Sequence, residues 1–262
     1  MLKTSFREIK NKITHLLFSF FLMSLGFSAQ AQKEEEDSFS TEFTYGITIN
    51  TNSGLPGGII LKYAKNIDAH WSHLFFVEIV NVKNSKESRI SGSNASQGYN
   101  TSSFINQKLN NLYVIRPQYG REFLLFRKAP DQGVRIDAIM AGGLSFGLLK
   151  PYYIQYDYSG GNNQNIKAIK YADVIFSNNQ LSEQYIVGSS GFQGFGEMNL
   201  KMGLNAKLGL SFEFGAFKNS VTGFDIGFLI EGYPKEIPIM YGAPNRNVFT
   251  SAYLTLFFGS RK

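Results

Sequence analysis

Residues 134–149 read VRIDAIMAGGLSFGLL. Every second position, from Val134 through Ile136, Ala138, Met140, Gly142, Leu144 and Phe146 to Leu148, forms an unbroken apolar row. Between them lie Arg135, Asp137, Ile139, Ala141, Gly143, Ser145 and Gly147, mostly small or charged. Strict period-two alternation marks a β-strand with two unlike faces. A soluble sandwich would turn the apolar row into a core and leave Arg135 and Asp137 in water. A membrane barrel inverts that assignment.

The same alternation recurs along the chain. Residues 39–50 set Phe39, Thr41, Phe43, Tyr45, Ile47 and Ile49 against Ser40, Glu42, Thr44, Gly46, Thr48 and Asn50. Residues 58–66 set Ile59, Leu61 and Tyr63 against Lys62 and Ala64, and 71–81 set Trp71, Phe75, Val77 and Ile79 against Ser72 and Glu78. Residues 109–121 predict a strand whose facing Arg116 and Pro117 leave ambiguous. After 134–149 come 203–217, with Leu204, Ala206, Leu208, Leu210, Phe212, Phe214 and Ala216 on one face and Asn205, Lys207, Ser211 and Glu213 on the other. Residues 223–233 oppose Phe224, Ile226, Phe228 and Ile230 to Asp225, Gly227 and Glu231, and in 248–258 Leu254, Leu256 and Phe258 share a face. That predicts eight strands, and no helix-period run of comparable strength competes.

Several of these segments are longer than the usual five or six residues of a soluble strand. Tilted about 40°, a strand climbs roughly 2.5 Å per residue, so about ten residues cross an apolar band of about 25 Å. The connections alternate as well. Residues 66–70, 122–133 and 218–222 are short or intermediate, whereas 51–57, 82–108, about 149–201 and 234–247 are longer excursions on the opposite side. Short periplasmic turns and long external loops are the outer-membrane pattern. On that topology the periplasmic strand ends carry Phe39, Trp71, Phe123, Phe126, Phe217 and Phe258, an aromatic girdle at headgroup depth. The expected fold is therefore all-β: an eight-stranded antiparallel up-and-down transmembrane β-barrel with long external loops, its apolar rows facing lipid.

The start of the chain fits export. Lys3, Arg7, Lys10 and Lys12 precede the apolar stretch ITHLLFSFFLMSLGFS, and Ala29-Gln30-Ala31 supplies a small-x-small cleavage pattern. Residues 1–31 are expected to be a signal peptide and 32–262 the barrel domain. Without the leader the net charge falls from +6 to about +3, with no clustered basic stripe for nucleic acid. There are no cysteines in the 262 residues, so the exported domain relies on its own core or a membrane rather than disulfides.

An eight-stranded barrel has an interior just filled by side chains. The expected inward set of Glu42, Lys62, Glu78, Arg135, Asp137, Lys207, Glu213, Asp225 and Glu231 carries both signs and predicts a lumen ion-pair network. Gly46, Gly143, Gly147, Gly209, Gly215 and Gly227 leave room for the long side chains opposite. No catalytic, cofactor-binding or metal residues are expected. Past the leader the histidines are His70 and His73, both on the periplasmic side, and a Ser–His–acid set needs mutual reach at one end. Residues 83–108 are polar and mildly basic, and are expected to be a solvated loop in which Lys83, Lys86 and Arg89 can meet outer-leaflet phosphates. The loop over 149–201 carries Tyr152, Tyr153, Tyr156, Tyr158, Tyr171, Phe176, Tyr185, Phe192 and Phe195, too many rings for a free polar loop. Residues 178–186 allow a short helix. Such a loop either packs over the mouth as a lid or presents Tyr-rich surface to a partner, for which Tyr152, Tyr153, Tyr156, Tyr158, Tyr171, Phe176 and Tyr185 are the candidates.

The leader, VRIDAIMAGGLSFGLLKPYYI, LNAKLGLSFEFGAF, GFDIGFLIEGYPKEIPIM and the closing AYLTLFFGSRK together resemble the small outer-membrane β-barrel proteins common in Bacteroidota. The architecture is similar to the eight-stranded OmpA-type membrane domain, with no peptidoglycan-binding domain after it. One departure is that Gly259, Ser260, Arg261 and Lys262 follow Phe258, where many such barrels end on the last aromatic. With no pore, no catalytic set and one large ordered-looking loop, the expected role is a non-enzymatic accessory or interaction subunit in the cell outer membrane. The resemblance implies a barrel-assembly, secretion or nutrient-uptake complex as its neighbour. Expected partners are outer-membrane lipid, lipopolysaccharide and another envelope protein. The alternative is a stand-alone surface-structural or adhesion barrel, with a lipid-modifying enzyme less favoured. Fold alone does not carry function.

Overall fold

The computed structural model describes residues 40–54, 57–92, 103–127, 133–161, 164–177, 180–214 and 220–262. The expected leader, Phe39, Gly215 and Phe217 lie outside the described residues. Eight strands close into one antiparallel barrel: β1 (Thr41–Asn50), β2 (Gly58–Asn66), β3 (Trp71–Val82), β6 (Asn110–Phe126), β7 (Arg135–Pro151), β11 (Asn199–Glu213), β12 (Ser220–Ile237) and β13 (Arg246–Arg261). Each barrel strand pairs with its neighbours in sequence among the eight, and β1 closes against β13. Five further strands, β4 (Arg89–Ser91), β5 (Ser103–Ile105), β8 (Tyr153–Asp157), β9 (Ile166–Lys170) and β10 (Ile186–Ser190), lie beyond the barrel's long-loop end, with a short helix α1 (Tyr171–Ile175).

The register fixes the barrel's shape. From Thr44, successive partners run through Lys62, Phe76, Gln118, Gly143, Asn205 and Glu231 to Phe249, whereas Thr44 itself pairs with Gly259. One circuit therefore shifts the register by ten residues, from 249 to 259. For eight strands that shear corresponds to a tilt of about 40°, inside the range that membrane barrels use.

Alternation sets the two faces of the wall. Along β7, Asp137, Ile139, Ala141, Ser145 and Gly147 are buried, while Met140 and Leu144 are exposed. The outer surface is an apolar band that includes Ile47, Ile59, Val77, Leu204, Leu208, Phe228 and Leu256, each more than two-fifths exposed. Large apolar side chains over the whole circumference are costly in water and favourable in hydrocarbon. The closed sheet leaves no backbone edge for lipid to meet. This is the architecture of outer-membrane barrels. At the end where β1 begins and β13 ends, Trp71 packs on Phe123 at 4.8 Å and Phe212 on Phe224 at 4.8 Å, with Phe126, Phe214 and Phe258 exposed beside them. Those rings mark headgroup depth.

The strands overrun several expected boundaries. β6 continues through Phe126, where a connection was expected from residue 122. β11 begins at Asn199 rather than Gly203, and β12 extends to Ile237. The closing Gly259, Ser260 and Arg261, which follow the last aromatic, continue β13 and pair with β1.

Candidate functional site: a filled lumen and a folded cap

The inward side chains lie in layers. At the end where β1 begins and β13 ends, Arg261 bonds Glu42 at 2.8 Å and also Glu213, and Arg135 grips Asp137 with contacts of 2.9–3.1 Å. Lys62 donates to Glu122 at 3.1 Å, with its ammonium 5.3 Å from the Phe257 ring centre. At mid-height Lys207 Nζ stands 4.0 Å from the Tyr253 ring centre and 5.2 Å from that of Phe76. The Tyr253 hydroxyl occupies space that a Cβ at Gly209 would overlap, so the glycine is required there by close approach. Gln118 donates to Asn205, which donates to Ser145 at 3.0 Å. Above them Arg116 bridges Glu231 and Glu78, and the Tyr233 hydroxyl donates to Glu231.

Of the nine residues expected in the lumen network, Arg135 and Asp137 pair with each other. Glu42, Glu213, Lys62, Glu78 and Glu231 meet partners outside that set: Arg261, Glu122 and Arg116. Lys207 and Asp225 are buried without an ion pair, and Lys207 Nζ and Asp225 Oδ1 have no hydrogen-bond partner among the described residues. Arg116 was hidden because β6 is apolar on both faces at its upper end, where Leu112 and Val114 point inward. The parity of Gln118, Gly120 and Glu122 is the signal that places Arg116 inside.

The upper lumen changes character. Val80, Val82, Leu112, Val114, Leu149 and Tyr233 form an apolar cluster with Ile237, Ile239 and Met240. The last two belong to the connection between β12 and β13, which turns inward over the mouth and is held by Leu109 N donating to Ile239 O and by a bridge between Lys108 and Met240. Ion pairs below and this apolar stopper above occupy the lumen.

Beyond the mouth the long loops fold together into a cap. β8 lies between β9 and β10 in a three-stranded sheet, and β4 pairs antiparallel with β5, where the sequence predicted a solvated loop. Phe104, Tyr152, Ile154, Tyr156, Tyr171, Val174 and Ile186 form the cap's core. The Tyr171 hydroxyl accepts from Gln107 N at 3.2 Å and lies 3.0 Å from both Asn106 Oδ1 and Glu183 Oε1. Burial pushes that phenol well above the usual tyrosine range. Lys108, buried and paired with Glu87 at 2.8 Å, is shifted down by its loss of solvent. In place of a helix over 178–186 there is a 3-10 turn at Glu183–Tyr185, with residues 178–179 outside the described set, and the α-helix falls at Tyr171–Ile175.

The seven partner-contact candidates divide. Tyr152, Tyr156 and Tyr171 are core residues of the cap, at most 7% exposed, and have no surface to offer. Tyr153 and Tyr185 are half-buried, and Tyr158 and Phe176 are exposed. Phe192 is 96% exposed, Phe195 55%, and Tyr241 stands edge-on to Phe176 at 5.4 Å. His73 lies on the outer wall with Nδ1 2.7 Å from the Tyr119 hydroxyl, and His70 is in the turn below it, next to Phe123. Among the described residues no group of three or more His, Cys, Asp or Glu is placed to hold a metal.

No family model matches the chain, and no curated protein matches it. Solved structures similar to it include Neisserial surface protein A, at 10% identity over 85% of this chain and 96% of that one, TM-score 0.38. Also similar is Ail, the attachment invasion locus protein of Yersinia pestis, at 11% identity over 86% and 99%, TM-score 0.36. Ail in complex with the heparin analogue sucrose octasulfate aligns at 12% identity over 85% and 97%, TM-score 0.35. Likeness of this degree carries no argument about ligands or activity, which rest on this chain's own residues.

Proposed function

We propose that this protein is a non-conducting, non-enzymatic outer-membrane barrel that works as an interaction subunit, docking another envelope protein through its external cap. The observation that carries the reading is the cap's division of its aromatics. Tyr152, Tyr156 and Tyr171 build a core, whereas Phe176 after the cap helix and Tyr241 from the β12–β13 connection form an exposed pair, with Phe192 at an exposed tip. Exposed rings on a pre-ordered scaffold are the usual anchors of protein interfaces, because little conformational freedom is lost on docking. The filled lumen argues against transport through the barrel. The placement of His70 and His73 at the opposite end from the cap argues against a histidine-dependent lipid-modifying site at the external rim. On this reading, lipopolysaccharide and phospholipid surround the band, and the partner belongs to a barrel-assembly, secretion or nutrient-uptake machine.

The test is affinity purification of the tagged protein from outer membranes in mild detergent, followed by mass spectrometry. A stoichiometric envelope protein is expected, lost in Phe176→Ser/Tyr241→Ser while heat-modifiable gel migration shows the barrel intact. A clean monomer whose cap is clipped by external protease would overturn the reading in favour of a stand-alone surface barrel.

A further inference from the structure

The outer wall is apolar, with one exception. Below the external mouth, the described outward-facing side chains of the eight barrel strands include three ionisable groups other than tyrosine: Lys65, His73 and Arg121. No outward Asp or Glu accompanies them on these faces. The three are consecutive register partners on adjacent strands, Lys65 opposite His73 on β3 and His73 opposite Arg121 on β6. Neighbouring strands lie about 4.8 Å apart, so Lys65 and Arg121 flank His73 across about 10 Å, within reach of one anion for two long side chains. Lys65 and Arg121 are exposed and have no ion pair among the described residues.

Two rows of rings frame this basic row. Tyr63, Phe75 and Tyr119 are register partners on its upper side, and Trp71 pairs with Phe123 on its lower side. Tyr119 also holds His73 through the 2.7 Å contact at Nδ1, fixing the imidazole on the surface. Aromatic belts sit at headgroup depth, so the cations stand where the phosphates of the leaflet on the short-turn side lie. Lys65 and Arg121 are like charges two strands apart, and an anion lying between them offsets their repulsion. We propose that Lys65, His73 and Arg121 form a binding site for the phosphodiester of an anionic glycerophospholipid in the periplasmic leaflet. Trp71, Phe75 and Tyr119 pack against its glycerol and upper acyl segments. The site is independent of the cap and of any protein partner.

Native mass spectrometry of the full protein tests it, with micelles containing equimolar phosphatidylglycerol and phosphatidylcholine. One phosphatidylglycerol is expected to stay bound in preference to phosphatidylcholine. Each basic group facing a phosphate layer favours binding about fivefold, so Lys65→Gln/Arg121→Gln should weaken retention roughly thirtyfold, and Arg121→Gln alone about fivefold. The single variant serves if the double one fails to show heat-modifiable migration. Lys235→Gln/Arg246→Gln removes two cations from the external ends of β12 and β13 and should retain the lipid as the parent does. Equal retention of the two lipids would overturn the proposal. So would an equal loss in the external double variant, or an adduct with added inorganic phosphate and none with lipid.

Discussion

The barrel buries Glu78, Arg116 and Glu231 and turns Leu208 and Phe228 outward, whereas the cap buries Ile154, Tyr171 and Ile186 and turns Lys167 and Glu183 outward. Both regions are β-structure built on period-two alternation, so backbone geometry does not separate them. What differs is the surrounding medium. Lipid offers no hydrogen bonds, so polar groups collect in the lumen and must satisfy one another there. Water around the cap permits the ordinary arrangement, an apolar core under a polar surface. A substitution that treats both regions alike should therefore have opposite consequences in them.

The largest effect is expected at Arg116. Arg116→Met leaves Glu78 and Glu231 buried without their shared cation, and breaking a buried network in this way costs about 3–5 kcal/mol. Urea unfolding in lipid vesicles measures it. Replacing all three residues by apolar ones of similar volume should recover most of the loss, because no charge is then stranded. The next comparison introduces the same residue at two exposed apolar sites. Leu208→Arg places a charge at mid-band on the lipid face and should cost about 2–4 kcal/mol. Phe192→Arg, on the nearly fully exposed tip of the cap, should stay within about 0.5 kcal/mol by the same assay. Equal costs at the two sites would mean that the band does not face lipid.

The same contrast explains what the sequence made legible. All eight barrel strands and the facing of seven announce themselves, because a wall between lipid and a polar lumen forces opposite chemistry onto alternate residues. The eighth, β6, is obscured where Leu112 and Val114 line the apolar stopper, since both faces are then greasy and Arg116 loses its reference frame. Arg261 looks like a tail residue because nothing in Gly259-Ser260-Arg261 says that a rung continues; its partners Glu42 and Glu213 lie far away in sequence. In the cap the count of rings signals an ordered loop, but which rings are core depends on pairing between short strands distant in sequence. The parity of Tyr152, Ile154 and Tyr156 was the available clue, and it separates them from Tyr153 and Gln155.

A smaller effect isolates the cap from the barrel. Tyr171→Phe keeps the ring but removes the hydroxyl that meets Gln107 N, Asn106 and Glu183. Its partners are half-exposed and can turn to water, so losing these contacts should destabilise the cap by about 0.5–1.5 kcal/mol. Hydrogen exchange is the measurement: the amides of β8, β9 and β10 should lose protection while those of β3 and β12 keep theirs. Loss in both regions together would show that cap and barrel unfold as one cooperative unit.

The smallest expected effect is electrostatic and lies on the cap's surface. Lys170 stands 2.6 Å from Glu197, and the Tyr153 hydroxyl donates to the same carboxylate at 2.7 Å. These contacts, Lys170 foremost, hold Glu197 below the ordinary glutamate range. A depressed acid stabilises the folded form fully above its unfolded pKa of about 4.3, and that contribution fades as pH falls through the lower folded value. The group is open to solvent, so screening keeps the contribution small. Exchange at the amides of Gly194–Met198, corrected for the intrinsic rate, should be flat above about pH 5 and lose protection below about pH 4. Glu197→Gln should abolish that step while leaving the cap core protected, because the Tyr153 contact joins the loop to β8 without touching the buried cluster around Tyr171. A step that persists in the variant would assign it to another carboxylate of the cap and would detach the Phe192–Phe195 tip from this ion pair.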